Sequence, residues 1–190
     1  MPDPSAQPFP ASKRETLPGT GHTAAGAGLL FLREDELRLA QDMIFFAMRD
    51  LNEAPDALLA ELGYGRAHHR CLHWIGRRPG LTVGDLLGIL GITKQSLTRV
   101  LGPLIQEGYV AQTPGSQDRR QRLLTLTDKG AALERKLFEA QRERLVTAYR
   151  EAGGPAVEGF KRVLRGLMNA QGRDCIDGQE TRGKGQRSAG

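Results

Sequence analysis

The sequence has few of the residues and patterns that mark enzymes and metal proteins. Its 190 residues include only two cysteines, Cys71 and Cys175, and aromatic residues make up 5% of the chain. Two thiols so far apart predict neither a disulfide framework nor a zinc cluster. We find no phosphate-binding loop, no G-x-G-x-x-G after a strand, no G-x-S-x-G and no H-E-x-x-H. The sequence therefore predicts a protein that is not an enzyme and that carries no cofactor and no metal.

Long apolar runs are equally scarce. No stretch approaches the roughly 20 apolar residues that a membrane-spanning helix needs, and no cationic helix carries Trp or Phe on its apolar face. Residues 1–28 are rich in Pro, Ala, Gly and Ser and have no apolar core resembling that of a signal peptide. With 26% charged residues, the chain is expected to be a cytoplasmic protein with no membrane partner.

Both ends of the chain are polar and rich in glycine. Residues 1–28 and residues 171–190 cannot bury enough apolar surface to order themselves. We therefore predict a disordered N-terminal arm and a disordered C-terminal tail. Between them, residues 29–170 are expected to form one folded domain, since a chain with 39% hydrophobic residues can bury one compact core.

The most informative segment runs from Leu81 to Gly130. Thr82 followed by Asp85 forms a capping-box pattern, and the apolar residues after it recur at helical spacing. Gly91 permits a tight turn, and Thr93 can cap a second helix. The apolar stripe of this second helix consists of Leu97, Val100, Leu101, Leu104 and Ile105. Two capped helices joined by a short turn predict a helix-turn-helix.

A polar face lies opposite that stripe on the second helix. Its residues are Lys94, Gln95, Thr98 and Arg99. Gln can bond adenine in a bidentate manner, Lys can bond guanine acceptors, and Thr and Arg can bond bases or phosphates. These residues stand at the start of the helix, the end that enters the major groove in helix-turn-helix proteins. The same face also fits an ordinary solvated helix surface.

A charged hairpin follows the two helices. Residues 109–113 and 122–127 are short runs enriched in β-branched and apolar residues, and the Pro, Gly, Ser and Asp between them mark a turn. Arg119 and Arg120, with Arg122 close behind, concentrate positive charge where an arginine can enter the narrow minor groove. Asp118 either pairs with an arginine and aims it or is an ordinary turn residue. The order of elements predicts a winged helix-turn-helix.

Together these features resemble the MarR family of bacterial transcriptional regulators. The resemblance rests on residues 93–110, on the D-R-R of residues 118–120 and on the L-T-D-K-G of residues 126–130, and it spans about residues 33–168. It implies a mainly α (α+β) fold with a winged helix-turn-helix core and long N- and C-terminal dimerisation helices. It also implies a homodimeric, sequence-specific regulator, by family habit a repressor, on a pseudo-palindromic operator in double-stranded DNA. When bound to DNA, such a protein is associated with the nucleoid.

The resemblance also implies roles for individual residues. The second helix would lie in the major groove, and Arg120, oriented by Asp118, would lie in the minor groove. The full DNA-binding set is Thr93, Lys94, Gln95, Ser96, Thr98, Arg99, Asp118, Arg119, Arg120 and Arg122. Gly102 and Pro103 depart from the family pattern, which carries polar helix formers there. Because proline inside a helix costs about 3 kcal/mol, we expect a kink or an early end after the first two turns.

The net positive charge is localised in the same region. Between residues 64 and 130, ten basic residues stand against four acidic ones, a balance of +6, whereas the whole chain carries +5. The remaining residues therefore sum to −1. Such localisation is the electrostatic footprint expected of a protein that binds nucleic acid. We accordingly place the DNA-binding part at about residues 64–130.

The sequence predicts long helices with apolar faces on either side of the DNA-binding part. One, over about residues 33–52, is limited by Pro55, and the other, over about residues 129–169, is broken at Gly153-Gly154-Pro155. They carry more apolar surface than a small winged core can cover, which favours a dimer interface over an intramolecular bundle. A symmetric dimer also sets two recognition helices about one DNA turn apart, roughly 34 to 36 Å.

A histidine-rich helix precedes the winged core. His69 and His73 lie at i, i+4, a spacing that can hold a metal but that equally serves phosphate contact or a hydrogen-bond network. His68 and Cys71 lie on the apolar stripe, which favours a core histidine and a core thiol over redox sensing. The family resemblance implies a small-molecule effector between the dimer helices and the winged core. The residues implied near that pocket are Tyr64, His68, His73 and Trp74.

Two other functions would use the same fold. A winged-helix module that binds protein needs neither arginines at the wing tip nor a polar face on the second helix, and its binding depends weakly on salt. An architectural DNA binder keeps the salt dependence but shows little preference between sequences. Salt dependence and sequence preference therefore separate the three functions.

Overall fold

The structure is a computed structural model that describes residues 27–115, 118 and 120–187. Residues 1–26 of the predicted N-terminal arm lie outside this range, as does Arg119. The chain divides into two compact units, residues 1–44 and residues 45–190. The described part of the first unit holds a 3-10 helix, Ala27–Leu32, and the beginning of α1 (Glu34–Ala60).

In the first unit, α1 begins with acidic residues that suit the positive end of a helix. Glu34, Asp35 and Glu36 occupy its first turn, and Arg38 pairs with Glu34 at an Nη2–Oε1 distance of 2.7 Å. The large apolar side chains of the unit are exposed: Leu30, Phe31, Leu32, Leu37, Leu39, Met43 and Ile44. The described residues thus leave much apolar surface uncovered here.

The second unit contains the remaining elements in the order of a winged helix. After α1 come α2 (Arg66–Arg77), β1 (Leu81–Thr82), α3 (Val83–Leu90), α4 (Lys94–Gln106), β2 (Val110–Pro114), β3 (Arg122–Leu126), α5 (Asp128–Leu167) and α6 (Ala170–Arg187). The strands form one antiparallel sheet in the order β1-β3-β2. The predicted winged helix-turn-helix is confirmed. In the part of the chain that the structure describes, no helix is long and apolar enough to cross a membrane.

β2 and β3 form the hairpin of the wing. Val110 pairs with Leu126 at its base, and Pro114 pairs with Arg122 at its outer end. Leu124, in the middle of β3, is fully buried, whereas residues 112–114 are exposed. The base of the hairpin therefore belongs to the core, and its outer end is in contact with solvent.

Short polar caps fix the two helices of the helix-turn-helix. Thr82 Oγ1 accepts the N–H of Asp85 at 3.0 Å, and the Asp85 carboxylate accepts the N–H of Thr82 at 3.0 Å. Gly91 ends α3 with φ of 62°, a left-handed conformation that suits glycine. Thr93 Oγ1 accepts the N–H of Ser96 at 3.2 Å at the start of α4. The predicted caps are therefore present on both sides of the turn.

One apolar core joins the C-terminal part of α1, α2, α3, α4, α5 and the sheet. Its most buried leucine and isoleucine side chains are Leu59, Leu72, Ile75, Leu86, Leu97, Leu104, Leu124 and Leu137. Each contributes about 1.5–3 kcal/mol relative to a side chain left in water. The predicted stripe of α4 faces this core, since Leu101 is only 5% exposed and Leu97 and Leu104 less still. The opposite face of α4 is thereby directed to solvent.

The helix limit predicted at Pro55 and the early helix end predicted at Pro103 are wrong, and the predicted break within α5 is confirmed. α1 and α4 continue past Pro55 and Pro103. In each helix a fully buried leucine follows soon after the proline, Leu59 and Leu104 respectively, and its burial offsets the hydrogen bond that proline removes. At Gly153, a φ of 76° and a ψ of 163° interrupt the helical conformation within α5, as predicted.

α6 corrects the prediction for the C-terminal tail. Residues 170–187 form a helix, although a disordered segment is expected from Gln171 onward. A Cβ on Gly88 of α3 would lie 2.9 Å from Nε2 of Gln171, and the Arg78 guanidinium donates a hydrogen bond to the carbonyl of Cys175. The prediction differs from the structure because hydrophobicity patterns do not reveal a polar contact such as that between Arg78 and the carbonyl of Cys175.

A close backbone approach requires glycine at position 130, in the first turn of α5. A Cβ there would overlap the carbonyl oxygen of Tyr109 and lie 2.9 Å from its carbonyl carbon. The same carbonyl oxygen accepts the N–H of Thr127 at 3.1 Å. The start of α5 therefore lies directly against the turn between α4 and β2.

We expect Gly130→Ala to lower the free energy of unfolding by about 3 kcal/mol, because the backbone must move to relieve the overlap. Helix propensity alone would raise it by about 1 kcal/mol. Gly159→Ala in α5 is the matched control, since a Cβ there meets nothing within 4 Å. Urea unfolding followed by circular dichroism measures both variants, and equal midpoints would show that the approach does not require glycine.

Candidate nucleic-acid interface

The exposed face of α4 carries the polar residues predicted for the major groove. The exposed residues are Thr93, Lys94, Gln95, Ser96, Thr98 and Arg99. Leu97, between them, is 1% exposed and faces the core. All six lie at the cap or in the first two turns, ahead of Pro103. The structure thus brings this part of the predicted site together on one accessible face.

The hydroxyl groups on this face have partners within the chain. The Thr93 hydroxyl donates to Ser96 Oγ at 3.0 Å, and the Thr98 hydroxyl donates to the Lys94 carbonyl at 2.9 Å. Among the described residues, no hydrogen bond or ion pair engages the side chains of Lys94, Gln95 or Arg99. These three side chains are available to an external partner, whereas Thr93 serves to cap the helix.

Asp118 shapes the turn of the wing through the backbone. Its Oδ1 accepts the N–H of Arg120 at 2.9 Å, and its carbonyl accepts the N–H of Gln121 at 3.0 Å. This arrangement is that of an Asx turn, so Asp118 acts here as a turn residue, which is one of the two roles expected from the sequence. Arg120 and Arg122 are exposed. Arg119, also predicted at the tip, lies outside the described residues.

Arg70, which the sequence analysis does not assign to the site, holds the end of α3. Its Nη2 donates to the carbonyl of Leu90 at 2.9 Å. Leu90 is the last residue of α3 and directly precedes Gly91. A cation at the C-terminal end of a helix is stabilising, so Arg70 supports the turn that leads into α4. No sequence signal indicates this contact, because the partner is a backbone carbonyl 20 positions away.

The four residues predicted to line an effector pocket form two separate pairs. Tyr64 stacks on His68 with ring centroids 4.5 Å apart. His73 meets Trp74 edge to face with centroids 5.5 Å apart. Trp74 also lines a cavity of about 270 Å³ together with residues of α3 and α6. The lining of that cavity includes none of the other three predicted residues.

His68 and Cys71 have structural surroundings. His68 Nδ1 accepts the N–H of Gly65 at 3.1 Å at the start of α2, and burial lowers the pKa of its imidazole. Cys71 is fully buried, and burial raises the pKa of its thiol to about 12. Oxidants attack the thiolate form of cysteine. The surroundings of Cys71 therefore favour a core thiol over a redox sensor.

His69 and His73 lie on the side of α2 that faces α5. Glu134 of α5 places a carboxylate oxygen 3.7 Å from His73 Nδ1. Burial lowers the pKa of both histidines, and the charge of Arg77 lowers that of His73 further. Burial also raises the pKa of Glu134. Within the described ranges, no group of three or more His, Cys, Asp or Glu side chains could hold a metal ion.

We expect stability to fall on acidification because the fold holds His69 and His73 neutral. Their ordinary pKa is 6.5 and the folded-state pKa is lower, so their contribution is present above pH 6.5 and is lost as pH falls through the folded-state pKa. Between about pH 7.5 and about pH 5.5, the urea midpoint of the wild type should drop more than that of His69→Gln/His73→Gln. Carboxylates that lie away from these two histidines titrate alike in both proteins. Identical pH profiles would refute this coupling.

Comparisons with known proteins agree with the fold. A family model described as MarR family matches residues 62–121. The HTH-type transcriptional regulator PetP of Rhodobacter capsulatus is 52% identical over 144 residues, which cover 76% of this chain and 87% of that protein. The transcriptional activatory protein BadR of Rhodopseudomonas palustris is 37% identical over 70 residues, which cover 37% of this chain and 38% of that protein.

Solved structures with low sequence identity have the same fold. A mutant MarR from E. coli complexed with operator DNA superposes with a TM-score of 0.55 at 22% identity, over 74% of this chain and 99% of that chain. A SlyA-like transcription regulator from Listeria monocytogenes gives a TM-score of 0.57 at 19% identity, over 76% of this chain and 93% of that chain. The match to the family model and the 52% identity with PetP show that the chain belongs to the MarR family of winged helix-turn-helix regulators.

Proposed function

We propose that this protein is a sequence-specific transcriptional regulator that binds a pseudo-palindromic operator as a homodimer in the bacterial cytoplasm. The observation that carries the proposal is the exposed start of α4. There Lys94, Gln95 and Arg99 have no side-chain partner among the described residues. The buried leucines of the opposite face fix the direction in which these side chains point.

The chemistry of this face suits the major groove. Gln95 has a donor and an acceptor that match an adenine edge, while Lys94 and Arg99 suit guanine acceptors or phosphates. The Thr98 hydroxyl is tied to the Lys94 carbonyl, so it offers a lone pair and a methyl group, and the latter can contact thymine. Major-groove base recognition therefore rests chiefly on Gln95 and its neighbours.

The wing supplies a second contact. Arg120 and Arg122 are exposed, and the Asx turn at Asp118 sets the backbone from which Arg120 extends. An arginine in this position suits the negative potential of a narrow minor groove. Arg119 is proposed to add charge at the same tip.

A second copy of the chain is the proposed cover for the exposed apolar side chains outside the winged core. In the second unit, the large exposed ones on α1 and the C-terminal half of α5 are Phe45, Phe46, Met48, Phe160, Val163, Leu164 and Leu167. Apolar patches of this kind mark interaction sites in soluble proteins. Their exposure favours dimerisation over an intramolecular bundle. We propose residues 33–52 and 129–169 as the dimerisation part and residues 64–130 as the DNA-binding part.

The names of relatives support regulation but differ in its sign. BadR is named an activatory protein, and Rv2887 of Mycobacterium tuberculosis, 29% identical over 58% of this chain, is named a repressor. We propose repression, which follows if the operator overlaps the promoter. Relief by a small-molecule effector is part of the same proposal.

A salt titration of DNA binding tests the proposal. The probes are duplex DNA from upstream of the protein's own gene and a scrambled duplex of equal composition. We expect steep salt dependence and a preference for the native duplex of at least about 10³-fold. Arg120→Ala should weaken binding, whereas Arg142→Ala, which removes an exposed arginine from α5, should not. Equal affinity for both duplexes would instead support an architectural protein, and salt-insensitive or absent binding would support a protein-interaction module.

Substitution of Gln95 tests base recognition. We expect Gln95→Ala to reduce discrimination at one position per half-site by about 1–3 kcal/mol. Gln106→Ala is the matched control, because Gln106 is an exposed glutamine at the far end of the same helix. Binding to a set of single-base operator variants measures the effect. An unchanged preference profile would remove Gln95 from the site.

A further inference from the structure

The start of α5 holds three successive carbonyls at the end of α4. Lys129 Nζ donates to the carbonyl of Glu107 at 2.8 Å, and Thr127 Oγ1 donates to the carbonyl of Gly108 at 2.6 Å. The carbonyl of Tyr109 accepts the backbone N–H of Thr127 at 3.1 Å. These three carbonyls directly follow α4, and the start of α5 supplies a hydrogen-bond donor to each of them.

Lys129 makes a second contact at the same place. Its ammonium lies 4.0 Å from the centroid of the Tyr109 ring, within the range of a cation–π interaction. A cation near the C-terminal end of α4 also interacts favourably with the helix dipole. The Lys129 side chain is therefore held by a carbonyl and by an aromatic face, although it is exposed.

Thr127 joins the two helices through one hydroxyl group. Its Oγ1 donates to the Gly108 carbonyl and accepts the N–H of Gly130 at 3.1 Å, so it caps α5 while it holds the end of α4. Gly130 admits no side chain against Tyr109. The end of α4 and the beginning of α5 consequently form one rigid junction.

We propose that Lys129 is a positioning residue for base recognition, which acts by fixing the direction of α4; this rests on the proposed function. α4 has 13 residues and is about 20 Å long at 1.5 Å per residue. A rotation of about 3° at its anchored end therefore moves a side chain at the other end by about 1 Å, which is enough to spoil a hydrogen bond to a base. Attraction to phosphates tolerates such a shift.

The test compares sequence preference with overall affinity. The probes are the duplex that the wild-type protein enriches most from a randomised library and a scrambled duplex of equal composition. We expect Lys129→Met to lower the ratio of the affinity for the enriched duplex to that for the scrambled duplex by about 10-fold or more. Its affinity for the scrambled duplex should equal that of Lys136→Met. Lys136 is an exposed lysine on the same helix and controls for the lost charge. Lys129→Arg, which keeps a donor and a cation, should restore most of the ratio.

Four results would overturn the proposal. An equal loss of affinity for both duplexes, with the slope of log affinity against log salt concentration reduced by about 1, would show that Lys129 contacts a phosphate. An equal loss of affinity for both duplexes that follows a lower melting temperature, with the ratio of affinities unchanged, would show that Lys129 contributes to stability alone. A wild-type protein that enriches no sequence would overturn the proposed function and this inference together. If the wild type is selective and Lys129→Met keeps the same ratio of affinities, only the inference is overturned.

Discussion

The contact between the first turn of α5 and the Tyr109 carbonyl is the constraint on which the winged region depends. The end of α4 at Gln106, the start of β2 at Val110 and the start of α5 at Asp128 all lie within a few residues of this contact along the chain. Behind α4, the leucine core determines which side of that helix is buried. The polar residues of the exposed face have no part in either contact. They can therefore vary without changing the packing that presents them.

Features with local signals are predicted well from the sequence. The caps at Thr82 and Thr93, the turn at Gly91 and the break at Gly153 each depend on a residue and its near neighbours, and each is present in the structure. The winged order of elements follows from the same kind of signal. Local chemistry alone therefore predicts the helix-turn-helix and its hairpin.

Features that depend on tertiary packing are not predicted. Pro55 and Pro103 are tolerated inside helices because neighbouring leucines are buried, and α6 accepts a hydrogen bond from Arg78, which is far away in sequence. His68 and His73 are five residues apart, which places them about 140° apart around a helix with 3.6 residues per turn. They therefore face different neighbours, and a single pocket around both is geometrically unfavourable.

The connections inside the winged region have almost no spare length. Thr82 pairs with Leu123 in the sheet and also caps α3, so one residue serves as both strand and connector. Thr127 likewise caps α5 while it contacts the end of α4. Added or lost residues in these connections would break a cap, whereas the hairpin between Pro114 and Arg122 can change length beyond its last strand pair. The wing tip is thus where evolution can alter how far the hairpin extends from the core without redesigning the fold.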